Sequence, residues 1–178
     1  MENLHQLLIN RRSIRKYKDT PLKPDDVRLI LEAALLSPSS KSSRAWHLVA
    51  VEDRDTLHRM SQCKAAGAMP IAKAPLAVVV AMDYAKDDAW IEDAAVASTL
   101  MMLQAADLGI GSCWIEIRDR YQADGTPAQE IIQELLGIPE THPVVSVITF
   151  GYKDEERKPQ DVSKLLWENV HIGNWGEQ

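Results

Sequence analysis

Ser37-Pro38-Ser39-Ser40-Lys41-Ser42-Ser43-Arg44-Ala45-Trp46-His47 is a hydroxyl-rich loop that runs straight into an aromatic-led apolar run. Nearer the N-terminus stands Arg11-Arg12-Ser13-Ile14-Arg15, followed by Lys16 and Lys18. Alone, the basic segment reads as a solvated face or as a weak patch for nucleic acid or anionic lipid. Alone, the serine run is an ordinary loop between a helix and a strand. Together they suit a phosphorylated, polyhydroxylated ligand, because phosphate oxygens prefer forked guanidinium donors and sugar-like hydroxyls prefer serine partners.

Composition narrows the classes. The chain has 178 residues, is 46% hydrophobic and 26% charged, and so fits one domain, residues 1–178, with a substantial core. Its net charge of −6 argues against a nucleic-acid protein, and a local basic patch in an acidic chain suits a small anionic ligand. Cys63 and Cys113 lie far apart with no C-x-x-C motif, which suits a reducing cytoplasm. His5, His47, His58, His142 and His171 show no metal-ligand spacing, so no metal is expected. No signal peptide is read at the start, and no apolar stretch reaches the ~18 residues that a membrane span needs.

Around the two segments the pattern alternates helix and strand. Glu2 to Ile9 reads as a short helix. Pro24 opens a second, with Asp25 and Asp26 at its positive end and Val27, Ile30, Leu31, Ala34 and Leu35 on one face. Trp46 to Val51 reads as a strand, Asp53 as the cap of a helix through Cys63, and Gly67 to Ala74 is unassigned. Leu76 to Met82 is wholly apolar and should lie centrally in a sheet. Asp87 to Leu108 is the longest helix, so apolar beyond Asp93 that a partner subunit or a deep intrachain core must cover it. Gly109 ends it, and Ser112 to Ile115 reads as a strand. Thr126-Pro127-Ala128-Gln129 resembles a capping box opening a helix to Leu136, and Pro143 to Gly151 is another strand. The tail, residues 160–178, carries Leu165, Leu166, Trp167, Val170, Ile172 and Trp175, more apolar anchors than a solvated tail needs.

These segments, with Lys73-Ala74-Pro75, the helix ending Ala-Asp-Leu-Gly-Ile-Gly, Cys113-Trp114-Ile115, Gly151-Tyr152 and Arg157-Lys158-Pro159, resemble the FMN-dependent nitroreductase family over almost the whole chain. The resemblance implies an α+β fold with a central, mostly antiparallel sheet flanked by helices. It also implies an obligate homodimer with FMN at the subunit interface. Arg11 and Arg15 would grip the phosphate and ring edge, with Arg12 and Ser13 beside them. Pro38, Ser39, Ser40 and Ser42 would approach from the other subunit. Trp114, Ile115 and Glu116 would run along the reactive edge of the ring, and Arg157 with Lys158 would close on the phosphate. The tail would pack across the partner. Many relatives carry Asn where Ser42 stands and Pro where Ala45 stands, and residues 67–70 lack the Asn, Gln or Lys that often contacts the ring.

The implied activity is hydride transfer from NADH or NADPH to FMN and then to an electron-poor acceptor such as a nitroaromatic or quinone. No Ser-His-Asp, Cys-His or paired-carboxylate constellation is present, so no catalytic side chain is expected and the flavin carries the chemistry. The alternative in another class is a flavin-binding protein with a storage, sensing or scaffold role. No G-x-G-x-x-G fingerprint is present to read the nicotinamide preference.

Overall fold

The computed structural model of the chain describes residues 3–176. Four strands, β1 (Trp46–Val51), β2 (Leu76–Met82), β3 (Ile110–Glu116) and β4 (Val144–Tyr152), pair antiparallel in the order β1-β2-β4-β3. β2 and β4 are central, which is why β2 needs no polar residue: each of its seven side chains is buried. The helices are α1 (Leu4–Asn10), α2 (Pro24–Leu35), α3 (Arg54–Met60), α4 (Met69–Lys73), α5 (Trp90–Asp107) and α6 (Ala128–Leu136).

The two-residue period of β2 distributes its side chains between two cores. Leu76, Val78, Val80 and Met82 meet Ile30 and Ala34 of α2 and Ala94, Ala97, Met101 and Ala105 of α5. Ala77, Val79 and Ala81 meet Leu57 and Met60 of α3, Ile71 of α4, and Ala128 and Ile132 of α6. Where Val80 pairs Ser146 but Ala81 pairs Val144, one residue of β4 is skipped. This bulge lets Val145 join the α2–α5 core while Val144 faces the other one.

Several boundaries depart from the sequence pattern. The first helix spans Leu4–Asn10, capped by the Asn3 side chain on Gln6 N; Glu2 lies outside the described residues. α3 stops at Met60 rather than Cys63, because Gln62 N and Cys63 N turn back to the carbonyls of Arg59 and Met60 in tight i→i−3 bonds. The unassigned 67–74 stretch contains α4, with Pro70 in its first turn. α5 begins at Trp90 rather than Asp87, whose buried carboxylate instead accepts from Ala89 N at 3.2 Å. The capping box at Thr126 does not form: Pro127 is held extended in a bridge with Tyr121 and itself precedes the helix. β3 starts at Ile110, directly after Gly109, whose φ of +74° ends α5.

Candidate functional site

The basic segment leaves α1 and lies across the end of the β3–β4 pair. Ser13 forms a single parallel bridge with Ser112, Ile14 N donates to Ser112 O at 2.9 Å, and Tyr17 bridges Lys153. Gly111 and Gly151 are register partners on β3 and β4, and they make the platform beneath it. A Cβ on Gly111 would sit 2.9 Å from Ile14 Cβ, and one on Gly151 would sit 2.7 Å from Tyr17 Cδ1 and Pro75 Cδ. The buried Tyr17 hydroxyl bonds Ile14 O at 2.5 Å and Thr149 Oγ1 at 2.7 Å, and burial raises its pKa far above the usual tyrosine value.

Glu155 fastens this segment. Its Oε1 accepts Arg15 N at 2.6 Å and Lys16 N at 3.1 Å, and its Oε2 pairs with Arg157 Nε at 3.2 Å. Those bonds hold its carboxyl below the ordinary glutamate range; the Arg15 amide is the largest cause, and the Arg157 charge adds to it against partial desolvation. Arg12 Nη1 donates to Lys158 O, so the segment and the 155–158 stretch are tied at two points. Between them lies a cleft of about 670 Å³ lined by Arg12, Ile14, Lys153, Glu155 and Arg157. The Nη1 of Arg11, next along the chain, is buried without a hydrogen-bond partner. A buried guanidinium nitrogen left unpaired costs free energy, and an anionic oxygen is the partner that relieves it best. Arg15 and Lys158 keep exposed side chains.

The serine loop is strained and anchored. Lys41, Ser42 and Arg44 have φ of +51°, +55° and +49°. Each such residue costs on the order of 1 kcal/mol or more. Asparagine tolerates this region better than serine, so Ser42 holds its conformation at a cost. Asp93, in the first turn of α5 and only 6% exposed, accepts Ser40 N at 3.0 Å and Ser43 Oγ at 3.4 Å. Ser43 Oγ also reaches Asp87 at 3.2 Å, and Ser39 Oγ accepts Arg44 N at 3.1 Å. Pro38 and Ser42 are exposed, while Ser39 and Ser40 are half-buried.

The far end of β3 forms a third piece. Trp114 Nε1 donates to Glu116 Oε2 at 2.8 Å, and Ile115 between them is buried on the opposite face. A groove of about 350 Å³ opens there among Ile91, Ala95, Trp114, Glu116 and Arg118, and the Arg118 Nε is buried with no partner. Lys64 Nζ donates to Glu116 O at 2.6 Å, and burial lowers its pKa. Both cysteines are buried, and burial raises both thiols, Cys63 to about 11. Neither is a thiolate nucleophile at neutral pH.

The fold therefore brings Arg11, Arg12, Ser13, Arg15, Arg157 and Lys158 to one place, beside the start of β3. Trp114, Ile115 and Glu116 continue along the same strand. Pro38, Ser39, Ser40 and Ser42 sit instead at the N-terminal end of α5. Arg157 Nε is paired with Glu155, and Lys158 offers its carbonyl to Arg12 while its side chain stays exposed. Sequence reasoning missed Lys64, Glu155 and Asp93. Asp93 alone carried a signal, as the acid that opens an otherwise apolar helix.

Comparison with known proteins agrees with this geometry. The model of the Nitroreductase family matches residues 8–97 and 70–152. The chain is 34% identical to a protein of Archaeoglobus fulgidus provisionally named NADH dehydrogenase/NAD(P)H nitroreductase, over 98% of this chain and 100% of that one. A solved FMN-dependent nitroreductase from Clostridium difficile R20291 superposes with a TM-score of 0.94 at 43% identity, covering 97% of this chain and 100% of its own. A second solved structure, from Parabacteroides distasonis, superposes at 0.89 with 27% identity, covering 98% and 100%. The chain belongs to the nitroreductase family and is an oxidoreductase of that family.

Proposed function

We propose that the chain is an FMN-dependent NAD(P)H oxidoreductase acting as a homodimer, and that it reduces electron-poor acceptors such as nitroaromatics or quinones. The observation that carries this reading is a cleft lined by Arg12, Lys153 and Arg157, with the neighbouring Arg11 holding a buried Nη1 that has no hydrogen-bond partner. When bound, FMN supplies the redox chemistry, accepting hydride from the nicotinamide and passing electrons to the acceptor in alternation. Arg11 and Arg12, with Ser13, would bind the phosphate end, and Glu155, by holding the Arg15 amide and Arg157 Nε, fixes the segment that carries them. Lys64 holds the Glu116 carbonyl, fixing the stretch of β3 that would line the flavin ring. The Trp114–Glu116 bond fixes the wall of the groove beside it. Pro38, Ser39, Ser40 and Ser42 complete the site of the partner subunit, which accounts for their distance from the arginines in one chain. Both thiols being buried and protonated, no side chain acts as nucleophile, and the free cysteines suit the cytoplasm.

Purified protein should be yellow and should bleach with NADH or NADPH under anaerobic conditions, recovering colour on addition of a quinone. Protein that binds FMN but keeps its colour with both nicotinamides would be a flavin carrier rather than a reductase. Protein that takes up no FMN would refute both.

A further inference from the structure

Spacing along the chain pairs no histidines as metal ligands, but the fold does. His47 lies on β1, Asp83 directly follows β2, and His142 stands just before β4. Asp83 N donates to Ala45 O at 2.8 Å and Met82 N to Pro143 O at 3.1 Å, so strand pairing itself draws the three segments to one end of the sheet. The imidazoles of His47 and His142 meet edge to face, centroids 4.6 Å apart and planes at 80°. One ligand atom from each of His47, Asp83 and His142 lies within 4.8 Å of the other two.

We propose that His47, Asp83 and His142 form a binding site for a divalent first-row transition ion, with Zn²⁺ as the fitting case. Two imidazoles with one carboxylate suit zinc and its neighbours, whereas calcium and magnesium call for sets built wholly of oxygen. Ligand bonds of about 2.0–2.2 Å put neighbouring donor atoms roughly 3.3 Å apart in a tetrahedron. From the present spacing the ligand atoms have to approach by no more than about 1.5 Å, and His47 is exposed while the other two are half-buried. The supporting contacts are already in place. Thr141 Oγ1 lies 2.9 Å from His142 Nδ1, which leaves Nε2 as the ligating nitrogen, and Ala85 N holds Asp83 Oδ1 at 3.2 Å. Lys86 Nζ, 3.3 Å from Asp83 Oδ2 on a half-exposed side chain, is the counter-charge that the ion displaces.

With three protein ligands the fourth position stays open to water, and the ion ties the ends of β1, β2 and β4 together. The cluster shares no residue with the cleft at Arg12 and Arg157 or with the groove at Trp114 and Glu116, so zinc binding is read independently of the proposed activity.

Calorimetric titration of the FMN-loaded full chain with Zn²⁺ tests it. The expected result is one ion per chain at micromolar affinity. Co²⁺ should bind in the same stoichiometry with the visible bands of a four- or five-coordinate nitrogen–oxygen site, and Zn²⁺ should abolish them. His47→Ala, an exposed position, should weaken binding more than the about ten- to hundredfold that an outer-shell partner is worth, and Thr141→Val should fall within that range. Lys86→Ala should tighten it, a gain that misfolding cannot imitate. Zn²⁺ should raise the Tm of the native chain but not of the His47→Ala/His142→Ala double variant. Absence of saturable binding would overturn the assignment. So would affinity unchanged in the double variant, which would place the ion on His5, His58 or His171.

Discussion

At the scale of single residues, polar groups left unpaired say more than those already bonded. Arg11 holds a guanidinium nitrogen buried with no hydrogen-bond partner, a cost that an anionic ligand would relieve. Arg11→Ala should weaken FMN binding by about 2 kcal/mol, some thirtyfold, the worth of one charge-assisted hydrogen bond. Riboflavin, which lacks the phosphate, should bind both forms alike, and fluorescence titration with the two flavins checks this. Equal losses for both would move Arg11 off the phosphate. Glu155 offers a pH test. Its carboxyl is held below the ordinary glutamate range, so its stabilisation is full above the unfolded-state pKa and is lost as pH falls through the folded-state one. Glu155→Gln should therefore be less stable than the native chain at pH 7, and the gap should close as the pH drops below the usual glutamate value. Denaturant titrations across that range measure it; a constant gap would show that charge plays no part.

At the scale of elements, the cation segment owes its place to two glycines that face each other across β3 and β4. Ile14 and Tyr17 sit so close to Gly111 and Gly151 that even a methyl group would collide with them. Gly151→Ala should cost about 1–3 kcal/mol by overpacking and should also loosen FMN, because the displaced Tyr17 carries Arg15 and Glu155 with it. A Tm drop with unchanged FMN affinity would mean that the platform serves stability alone. The serine loop depends in the same way on Asp93. Asp93→Ala removes the acceptor of Ser40 N and leaves the three left-handed residues held by Asp87 and Ser39 alone among the contacts described above. It should lower FMN retention while the Ala94–Ala105 face of α5 keeps its packing, as dialysis and far-ultraviolet circular dichroism would report. Strand and helix positions were legible because their periods are local: β1 and β2 match the sequence reading at both ends. Helix starts were less so, because Asp87 and Pro127 are held by Ser43, Ala89 and Tyr121, partners set by tertiary packing.

At the scale of the whole molecule, much apolar surface is left uncovered. Among the described residues, Ile172 is 74% exposed, Trp175 91% and Trp167 69%, so the tail does not bury its anchors on its own chain. Leu4 and Leu8 of α1 and Val96 of α5 are exposed as well, and α1 packs on α5. Isolated monomers rarely present so much apolar area, and a second copy crossing tails would bury it. Light scattering should give about twice the chain mass of 19.9 kDa, and Trp167→Glu should shift it toward one chain while lowering FMN content. A single-chain mass for the native protein at low micromolar concentration would sink the composite site. By itself the sequence determined the four strands, the helices other than α4, and the basic and serine segments. Those properties follow from short-range periodicity and from chemistry carried by neighbouring residues. Only the tertiary structure decided that Arg11 Nη1 is buried without a hydrogen-bond partner, that Glu155 and Lys64 hold the backbone at the candidate site, and that His47 and His142 meet beside Asp83. Each of those depends on contacts between segments far apart in the chain, and their meeting is set by strand order and register, which no local pattern encodes.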